Sequence, residues 1–548
     1  MNLITDEWLP VIRASGKGEI APWQISQRSD PIIELNAPRP DFQGALYQFL
    51  IGLLQTCFAP EDPDEWLVYW KEPPDENILK TRFENVASAF ELFSPNGECA
   101  FMQDFNLPKG ETKKIAALLI EYPGDKTIGD NLDHFVKRDS VSQMCPACTA
   151  MALFTLQTNA PSGGNGQRVG LRGGGPLTTL VQPTQETTLW SKLWLNVLNS
   201  EDIAASIEEP TDDVFPWVGP TRVSTQKVVK KVKTYIEGGV ATPHADVHPL
   251  QCYWGMPRRI RILSHEDTLG QCDVCGNASE KVIKEYRTGT WGVDYVGAWL
   301  HPLTPYRFDK EKEKPPSSRK GKEGGYGYRD WVALVLARSG EGYQAAKIAR
   351  TYMEQRVRDI GDQRFSRLWC FGYDTDNMKA RCWYDNTLPL FQLGNEKRDN
   401  ILSWADELIS AAEDVIENLQ RHVKAAWFSR PGDIKPAVKE IVREFWQQSE
   451  AVFYKLLERL VSLPENQRLA PPDIYDTWAK KLQSLAYSLF DAWVLAAPTA
   501  DLNMKRVFDA RLSLKKKMNN SKMMKVLFSK ANSDKGGKNA TNTIVPLS

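Results

Sequence analysis

The sequence is poor in histidine and has no catalytic signature. Six histidines occur in 548 residues, and only His244 and His248 are close enough in sequence to pair as metal ligands. They stand between Pro243 and Pro249, which favours a loop, so we expect no second metal site there. The chain also lacks a Ser/His/Asp triad, a Walker motif and paired metal-binding carboxylates. These absences argue against an enzyme.

Long apolar runs are absent as well. No segment approaches the roughly 20 apolar residues that a membrane-spanning helix requires. The opening residues, 1–6, are not a basic segment followed by an apolar one, so we expect no signal peptide. Nine cysteines, an odd number, then fit the reducing cytoplasm. Five of them are predicted to be small core residues: Cys57, Cys99, Cys252, Cys370 and Cys382.

Charge of one sign is not in excess. The chain has 68 basic and 69 acidic residues, a net charge of −1. This balance argues against a protein that coats nucleic acid through its overall charge, but it allows a local basic surface. The length predicts two to four domains with large cores.

Two short cysteine pairs are the most informative feature that is present. Cys145 and Cys148 form one CxxC pair, and Cys272 and Cys275 form the other. Each pair has the spacing of one zinc knuckle, and together they supply a complete tetrahedral shell of four thiolates. A closed shell leaves no position for water, so the predicted zinc is structural. The alternatives are a chance pair of motifs or a redox dithiol.

The pattern up to residue 394 predicts an α+β domain. Short apolar runs alternate with glycine and proline, and a helix is expected from Phe42 to Cys57. Residues 224–233 carry lysines between valines and are expected to form an exposed strand with a basic face. Residues 310–325 are highly charged and rich in glycine, and are expected to form a surface loop or hinge.

From residue 395 to residue 548 the pattern predicts a four-helix bundle. Four amphipathic segments are separated by prolines, and each has a wide apolar stripe that is expected to face the core. The stripes are Trp404, Leu408, Ala412, Val415 and Leu419; Ile441, Phe445, Val452, Leu456 and Leu460; Trp478, Leu482, Leu485, Leu489 and Trp493; and Met504, Phe508 and Leu512.

The stretch 505–530 is strongly basic, with Asp509 as its one acid. Two interpretations remain open for this stretch: a solvated helix face and a surface that contacts phosphates.

A glycine-rich run, NAPSGGNGQRVGLRGGGP, follows the first cysteine pair at 159–176. So many glycines indicate a loop whose backbone approaches another molecule closely. A phosphate-binding P-loop does not fit, because no Gly-Lys-Ser/Thr follows. A flexible loop without function is the alternative. Arg168 and Arg172 are expected to add donors for a nucleic-acid backbone.

Four stretches together resemble the CasA family, the large subunit of the type I-E CRISPR Cascade complex. They are the opening NLITDEWLPV at 2–11, the run from Cys145 through Gly175, the Cys272 knuckle with His301-Pro302 downstream, and FGYDTDNMKARCW at 371–383. The resemblance spans most of the chain and includes the predicted C-terminal bundle.

The resemblance implies a non-catalytic subunit of a guide-RNA surveillance complex. Such a subunit inspects double-stranded DNA for a short protospacer-adjacent motif, largely from the minor groove, and helps to open the duplex for guide RNA. It works with the other Cascade subunits and helps to recruit a separate helicase-nuclease. In this family the motif is read by a glycine loop, which here falls on Ser162, Gly163, Gly164, Asn165 and Gly166.

Further site residues follow from the same resemblance. A wedge that enters the duplex falls on Asn377 and Met378, next to Lys379. A family lysine that reaches the motif has no counterpart, since counting leads to Thr290, and Arg287 is the nearest basic residue. The loop that contacts the guide RNA or neighbouring subunits falls on Phe135, Val136, Lys137 and Arg138.

Two rival functions are open at this point. One is a zinc-stapled nuclease that uses Asp374 and Asp376. The other is a scaffold whose bundle only bridges subunits.

Overall fold

The computed structural model describes the chain up to residue 533 with some gaps. Residues outside the description are 95–98, 106, 108, 123–139, 162, 165, 185–186, 230–231, 237, 264–267, 310, 312, 337–341, 361–364, 377–378, 392, 394, 429–438, 496–502 and 534–548. Two compact units are present: Met1–Gly325 with Ala337–Leu390, and Tyr326–Leu336 with Phe391–Ser548.

The chain has a mixed α+β fold with a helical C-terminal region, as the sequence predicts. The strands are β1 (Leu9–Arg13), β2 (Gly16–Ile20), β3 (Ile32–Leu35), β4 (Glu111–Lys114), β5 (Thr178–Gln182), β6 (Gln226–Val229), β7 (Val232–Tyr235), β8 (Ala241–Pro243), β9 (Arg259–Leu263), β10 (Gly270–Gln271), β11 (Ala278–Ser279), β12 (Glu285–Gly289), β13 (Asp294–Val296), β14 (Tyr306–Arg307), β15 (Ser317–Ser318), β16 (Tyr343–Gln344), β17 (Phe365–Asp376) and β18 (Lys379–Phe391).

The α-helices divide between the two units. The first unit contains α1 (Pro40–Cys57), α2 (Pro63–Lys71), α3 (Glu76–Glu84), α4 (Pro146–Asn159), α5 (Leu189–Trp194), α6 (Lys347–Thr351) and α7 (Val357–Asp359). The second unit contains α8 (Asn395–Trp427), α9 (Lys439–Val461), α10 (Pro472–Phe490), α11 (Met504–Asn519) and α12 (Lys522–Ala531). None of the described helices is both long enough and apolar enough to cross a bilayer.

The core of the first unit is built around helix α1. Phe49 of α1 is buried and meets five aromatic rings edge-to-face, a favoured arrangement of aromatic quadrupoles. Those rings belong to Trp8, Phe90, Phe101, Phe154 and Trp254. Because Phe154 lies on α4, this cluster fixes the helix that begins at the first cysteine pair.

Two three-stranded sheets carry segments of the predicted site. One has the order β4-β12-β9, with both pairs antiparallel. The other has the order β18-β17-β5, in which β17 runs antiparallel to β5 with Phe371 opposite Thr178. Strand β5 directly follows the glycine-rich run, and β12 ends just before Thr290.

Both charged segments, 224–233 and 310–325, contain regular structure. Strands β6 and β7 form an antiparallel hairpin within 224–235, and Lys227 on β6 is exposed as expected. In the charged segment 310–325, the expectation of a plain surface loop is wrong for its second half. Strand β15 pairs with β14, and Gly321 N–H donates to Gly175 O at 3.1 Å. This half therefore packs on the glycine-rich run.

Three of the four predicted apolar stripes face the helical core of the second unit. Every residue of the α8 stripe is at most 5% exposed, and most of the α9 and α10 stripe residues are buried. Val452 and Trp493 are only half-buried, and Trp493 Nε1 donates to Glu444 Oε2 at 2.8 Å. A fifth helix, α12, follows the four that the sequence predicts.

The prediction that the fourth stripe faces the core is wrong. Met504, Phe508 and Leu512 are 44%, 55% and 68% exposed. The buried face of α11 is instead formed by four other residues: Val507, Ala510, Leu514 and Met518. Both sets have helical spacing, so the sequence offers two apolar stripes on one helix. Packing against α8 selects the second stripe, which the periodicity alone does not distinguish.

This correction makes a prediction about two leucines on the same helix. Leu514→Ala removes a fully buried side chain, and we expect it to lower the free energy of unfolding by about 2–5 kcal/mol. Leu512→Ala removes an exposed one, and we expect a change within about 0.5 kcal/mol. Urea unfolding of both variants measures the difference. Equal losses, or a larger loss for Leu512→Ala, would contradict the assigned face.

Candidate metal centre and nucleic-acid interface

The four predicted cysteines meet in one cluster. The Sγ atoms of Cys145, Cys148, Cys272 and Cys275 all lie within 4.8 Å of one another, and those of Cys145 and Cys275 are 3.9 Å apart. Tetrahedral zinc with four thiolates places its sulfurs about 3.8 Å apart, given Zn–S bonds of about 2.3 Å. The donor set and its spacing therefore fit a structural zinc ion. Among the described residues, this is the one such group of three or more metal-ligating side chains.

Local structure explains how each knuckle turns toward the ion. Cys145 caps the N-terminus of α4, and its Sγ accepts the N–H of Cys148 at 3.4 Å. Cys272 follows β10, and Gly276, with φ +78°, closes the second knuckle by donating its N–H to Cys272 O. A positive φ at this position favours glycine.

Backbone contacts around the sulfurs join the two knuckles independently of a metal. Asp273 Oδ2 accepts the N–H of Ser142 at 2.7 Å and that of Gln143 at 3.0 Å, and the Ser142 amide lowers the pKa of this carboxylate. Met144 and Ile283 exchange two backbone hydrogen bonds. The carboxylate and this short ladder hold the two cysteine-bearing segments beside each other and so orient the four sulfurs.

Four adjacent thiols have difficulty ionising together without a cation. The neighbouring thiols of Cys145 and Cys272, together with burial, raise the pKa of Cys148 above its ordinary value. A bound Zn²⁺ reverses this effect, because it stabilises thiolates directly. All nine cysteines are free of disulfides, so nothing in the cluster competes with the metal.

The remaining cysteines follow the sequence expectation only in part. Cys57, Cys252 and Cys370 are buried, as predicted for small core residues. Cys99 is half-buried and Cys382 is exposed on β18, so the prediction is wrong for Cys382. Alternation along a strand places successive side chains on opposite faces, and Cys382 lies on the outer one.

The glycine-rich run folds back on the end of α4. Gly170 N–H donates to Ala160 O at 2.9 Å, and Gly175 N–H donates to Asn159 O at 3.2 Å. Gly166 has φ +75°, and a side chain there would place its Cβ 2.7 Å from Thr290 Cβ. Glycine is therefore required at 166 both by conformation and by space.

The partner of this loop is the turn after β12. Trp291 N–H donates to Gly166 O at 2.7 Å, so residues 290–291 lie against the glycine loop. Trp291 itself has φ +62°, an outlier for a bulky residue of the kind that clusters at functional sites. The sequence analysis missed Trp291, although its place between Thr290 and Gly292 in a Gly-Thr-Trp-Gly stretch is a turn signal.

Arg168 holds the loop from one side, and its predicted role as a backbone-phosphate donor is wrong. Its Nη1 lies 3.2 Å from Asp294 Oδ2, its Nε donates to Ser224 Oγ at 2.8 Å, and its guanidinium lies over the Trp291 ring. Its donors are thus used inside the protein.

Arg172 is likewise wrong as a phosphate contact, because it is 6% exposed. Its guanidinium donates to Gln48 Oε1 at 2.6 Å and to Thr304 Oγ1 at 2.9 Å. The sequence could not reveal this burial, since an arginine in a glycine-rich stretch is usually solvated.

Arg258, just before β9, lies beneath the loop and was missed by the sequence analysis. It donates to Gln167 Oε1 and Pro161 O. A side chain on Gly163 would come within 2.9 Å of its Nη1. Burial lowers the pKa of Arg258 to about 10.

Several predicted site residues lie outside the described part of the chain. They are Ser162 and Asn165 of the glycine loop, Asn377 and Met378 of the wedge, and Phe135, Val136, Lys137 and Arg138 of the guide-contact loop. Lys379 begins β18. Arg287 lies in the middle of β12, opposite Arg261 and Thr112, three residues before Thr290. The structure thus brings Gly166 against the 290–291 turn and Gly163 against Arg258.

Strands β17 and β18 are long and flank the two wedge positions. Asp374 on β17 is 4% exposed and forms a bidentate ion pair with Arg381 on β18, with Oδ2–Nε at 2.8 Å and Oδ1–Nη2 at 3.0 Å. This pair fixes the two strands close to positions 377–378. It also occupies both oxygens that a metal-dependent nuclease would need from Asp374.

The metal centre yields a prediction about one ligand. We expect the purified chain to carry about one zinc ion, and Cys272→Ser to lose it and to lower Tm by roughly 10 °C or more. Elemental analysis and thermal unfolding measure the two effects. Cys57→Ser is the matched control, because Cys57 is buried outside the cluster and should keep the zinc. A zinc-free native chain, or an unchanged Tm in Cys272→Ser, would contradict the site.

Comparison with known proteins agrees with this architecture. The family model described as CRISPR-associated protein Cse1 matches residues 2–489. CasA of Thermus thermophilus is 18% identical, with 95% of this chain and 100% of that chain covered and a TM-score of 0.67. Cse1 of Acidimicrobium ferrooxidans is 18% identical over 97% and 98% of the two chains, with a TM-score of 0.63.

A third similar structure is described as a CRISPR RNA-guided surveillance complex. Its chain is 16% identical, with 94% of this chain and 99% of that chain covered and a TM-score of 0.64. At such identities the structural likeness establishes the fold, and the family model spans most of the sequence. The chain belongs to the CRISPR-associated Cse1 family, whose members are also called CasA.

Proposed function

We propose that this chain is the non-catalytic large subunit of a guide-RNA surveillance complex in the cytoplasm. It recognises a protospacer-adjacent motif in double-stranded DNA, promotes opening of the duplex and helps to recruit a helicase-nuclease. Its partners are the CRISPR guide RNA, the target DNA and the other Cascade subunits. Membership of the Cse1 family and the surveillance complex to which a similar chain belongs support this proposal.

The observation that carries the proposal is the glycine loop held against the 290–291 turn. Gly164 and Gly166 have φ of +92° and +75°, and no heavy atom lies within 4 Å of a Cβ built on Gly164. A rigid loop with bare backbone at its surface suits the narrow minor groove, where shape and close approach matter more than long side chains. Arg168 and Arg258 stiffen it from within.

The β17–β18 hairpin supports the second step, opening of the duplex. An amide at 377 can hydrogen-bond a base edge, and an apolar side chain at 378 can displace base stacking. Such a wedge must resist being pushed back, and the bidentate Asp374–Arg381 pair fixes the hairpin close to it. The same pair disfavours the nuclease alternative, since Asp374 is already neutralised.

The first experiment is binding of guide-matched duplexes by the assembled complex, with and without this chain. The targets carry randomised bases next to the matched sequence. We expect the chain to add both affinity and a preference for certain flanking bases. Equal affinity and no preference without the chain would favour the scaffold alternative, and metal-dependent cleavage by the isolated chain would favour a nuclease.

The wedge makes a more specific prediction. Asn377→Ala combined with Met378→Ala should weaken binding of duplex target by about tenfold or more, because unstacking loses its apolar partner. Binding of a target that is already unpaired beside the motif should change little. The matched control is Asn77→Ala with Ile78→Ala, which removes an exposed amide and an exposed apolar side chain from helix α3, outside both proposed DNA contacts. A scaffold predicts unchanged binding in both variants.

The basic stretch 505–530 is a candidate second contact with nucleic acid. Three of its cations are used internally: Arg511 pairs with Asp491, Lys530 with Glu407, and Arg506 donates to Ala426 O. Six others are exposed: Lys505, Lys515, Lys516, Lys517, Lys522 and Lys525. An exposed cluster of six lysines is suited to phosphates.

We expect Lys515, Lys516 and Lys517 changed together to glutamine to reduce the salt slope of duplex DNA binding by roughly 3, from about 0.9 per phosphate contact. Titrations at several salt concentrations measure the slope. Changing Lys17, Lys71 and Lys109 instead removes the same charge from exposed positions elsewhere. If both triple variants give the native slope, the basic stretch is only a solvated helix face.

A further inference from the structure

We propose that a cavity beside the end of the glycine-rich run binds one monovalent anion of halide size, with Arg172, His301 and Tyr253 as its donors. The cavity has a volume of about 10 Å³, which is room for a single water-sized particle. The three donors line it, together with the polar residues Gln48, Gln157, Thr158 and Cys252 and the apolar groups of Phe154, Leu171 and Gly255. The proposal concerns a site separate from the DNA contacts and does not depend on them.

Arg172 is a buried cation without a counter-ion. Among the described residues, its guanidinium has only neutral hydrogen-bond partners: Gln48 Oε1, Thr178 Oγ1 and Thr304 Oγ1. A buried charge is costly unless an opposite charge accompanies it. Ionisable groups around the cavity do not supply one, because burial raises the pKa of Cys252 and of Tyr306 to about 12 and keeps both neutral.

Tyr253 and His301 supply the other two donors. The Tyr253 hydroxyl is buried and lacks a hydrogen-bond partner. His301 Nδ1 accepts the N–H of Leu303 at 3.1 Å, so the proton of the neutral ring resides on Nε2. The rings of Tyr253 and His301 are in edge contact, with centroids 4.9 Å apart. Both side chains thus offer a donor at the cavity that Arg172 also lines.

The surroundings favour an anion over a water molecule. Burial and the nearby Arg172 charge lower the pKa of His301, and they lower that of Lys320 to about 8, which marks a positive local field. Water is held well where donors and acceptors alternate. Here the lining amide oxygens are already engaged, since Gln48 Oε1 accepts from Arg172 and Gln157 Oε1 accepts the N–H of Arg258. A guanidinium, an imidazole N–H and a hydroxyl line the same cavity under positive charge, so a small anion balances both the hydrogen bonds and the charge.

Crystals of the full chain grown or soaked in sodium bromide test the site directly. We expect an anomalous difference peak in the cavity, within about 3.5 Å of the Tyr253 hydroxyl and the Arg172 guanidinium. The Tyr253→Phe variant, which loses no hydrogen bond among the described residues, should reduce or abolish that peak. A cavity that contains only water, with no anomalous signal in bromide, would overturn the proposal.

Thermal unfolding tests the same site in solution. At constant ionic strength, replacing gluconate by bromide should raise Tm by roughly 2 °C for each tenfold increase above the dissociation constant. Tyr253→Phe should lose most of this rise. Tyr352→Phe is the control, because its hydroxyl bonds Ser366 away from the cavity, and it should keep the native response. An identical Tm in gluconate and bromide for the native chain would refute the anion site.

Discussion

The cluster of four thiols is the constraint on which the predicted recognition site depends. Its first pair begins α4, whose other end leads into the glycine-rich run. Its second pair lies between β10 and β11, shortly before β12 leads to the 290–291 turn. One small cluster therefore fixes the starting points of both segments that meet at Gly166. A bound zinc ion would strengthen this link, and the Met144–Ile283 ladder supports it without a metal.

The glycine-rich run shows why arginines in such a loop need not touch DNA. Arg168, Arg172 and Arg258 all direct their donors inward, to Asp294, to neutral side chains and to loop carbonyls. Their contribution is to hold a backbone that glycine would otherwise leave mobile. Among the described residues of the loop, Gly163 and Gly164 expose bare backbone, which suits the minor-groove contact that we propose.

The two units differ in where their positive charges lie. The chain is nearly neutral overall, yet the first unit buries Arg172 without a carboxylate partner among the described residues, and the second unit exposes six lysines on α11 and α12. Buried positive charge stiffens a loop and, in our proposal, holds an anion. Exposed positive charge remains available for phosphates.

The sequence by itself determined the elements whose signals are local or chemically specific. The cysteine spacing predicted the metal cluster, helical periodicity predicted α1 and α8 to α10, and the combination of motifs indicated the family. The mixed fold class followed from the alternation of short apolar runs with glycine and proline.

Only the tertiary structure decided which of two apolar faces of α11 is buried, because both have helical spacing and the choice depends on the neighbouring helix. It also decided that Arg168 and Arg172 point inward, and that Trp291 supports Gly166. These outcomes depend on residues far apart in the sequence that meet in space, such as Arg172 and Thr304. Burial is a property of the assembled fold, and no local pattern encodes it.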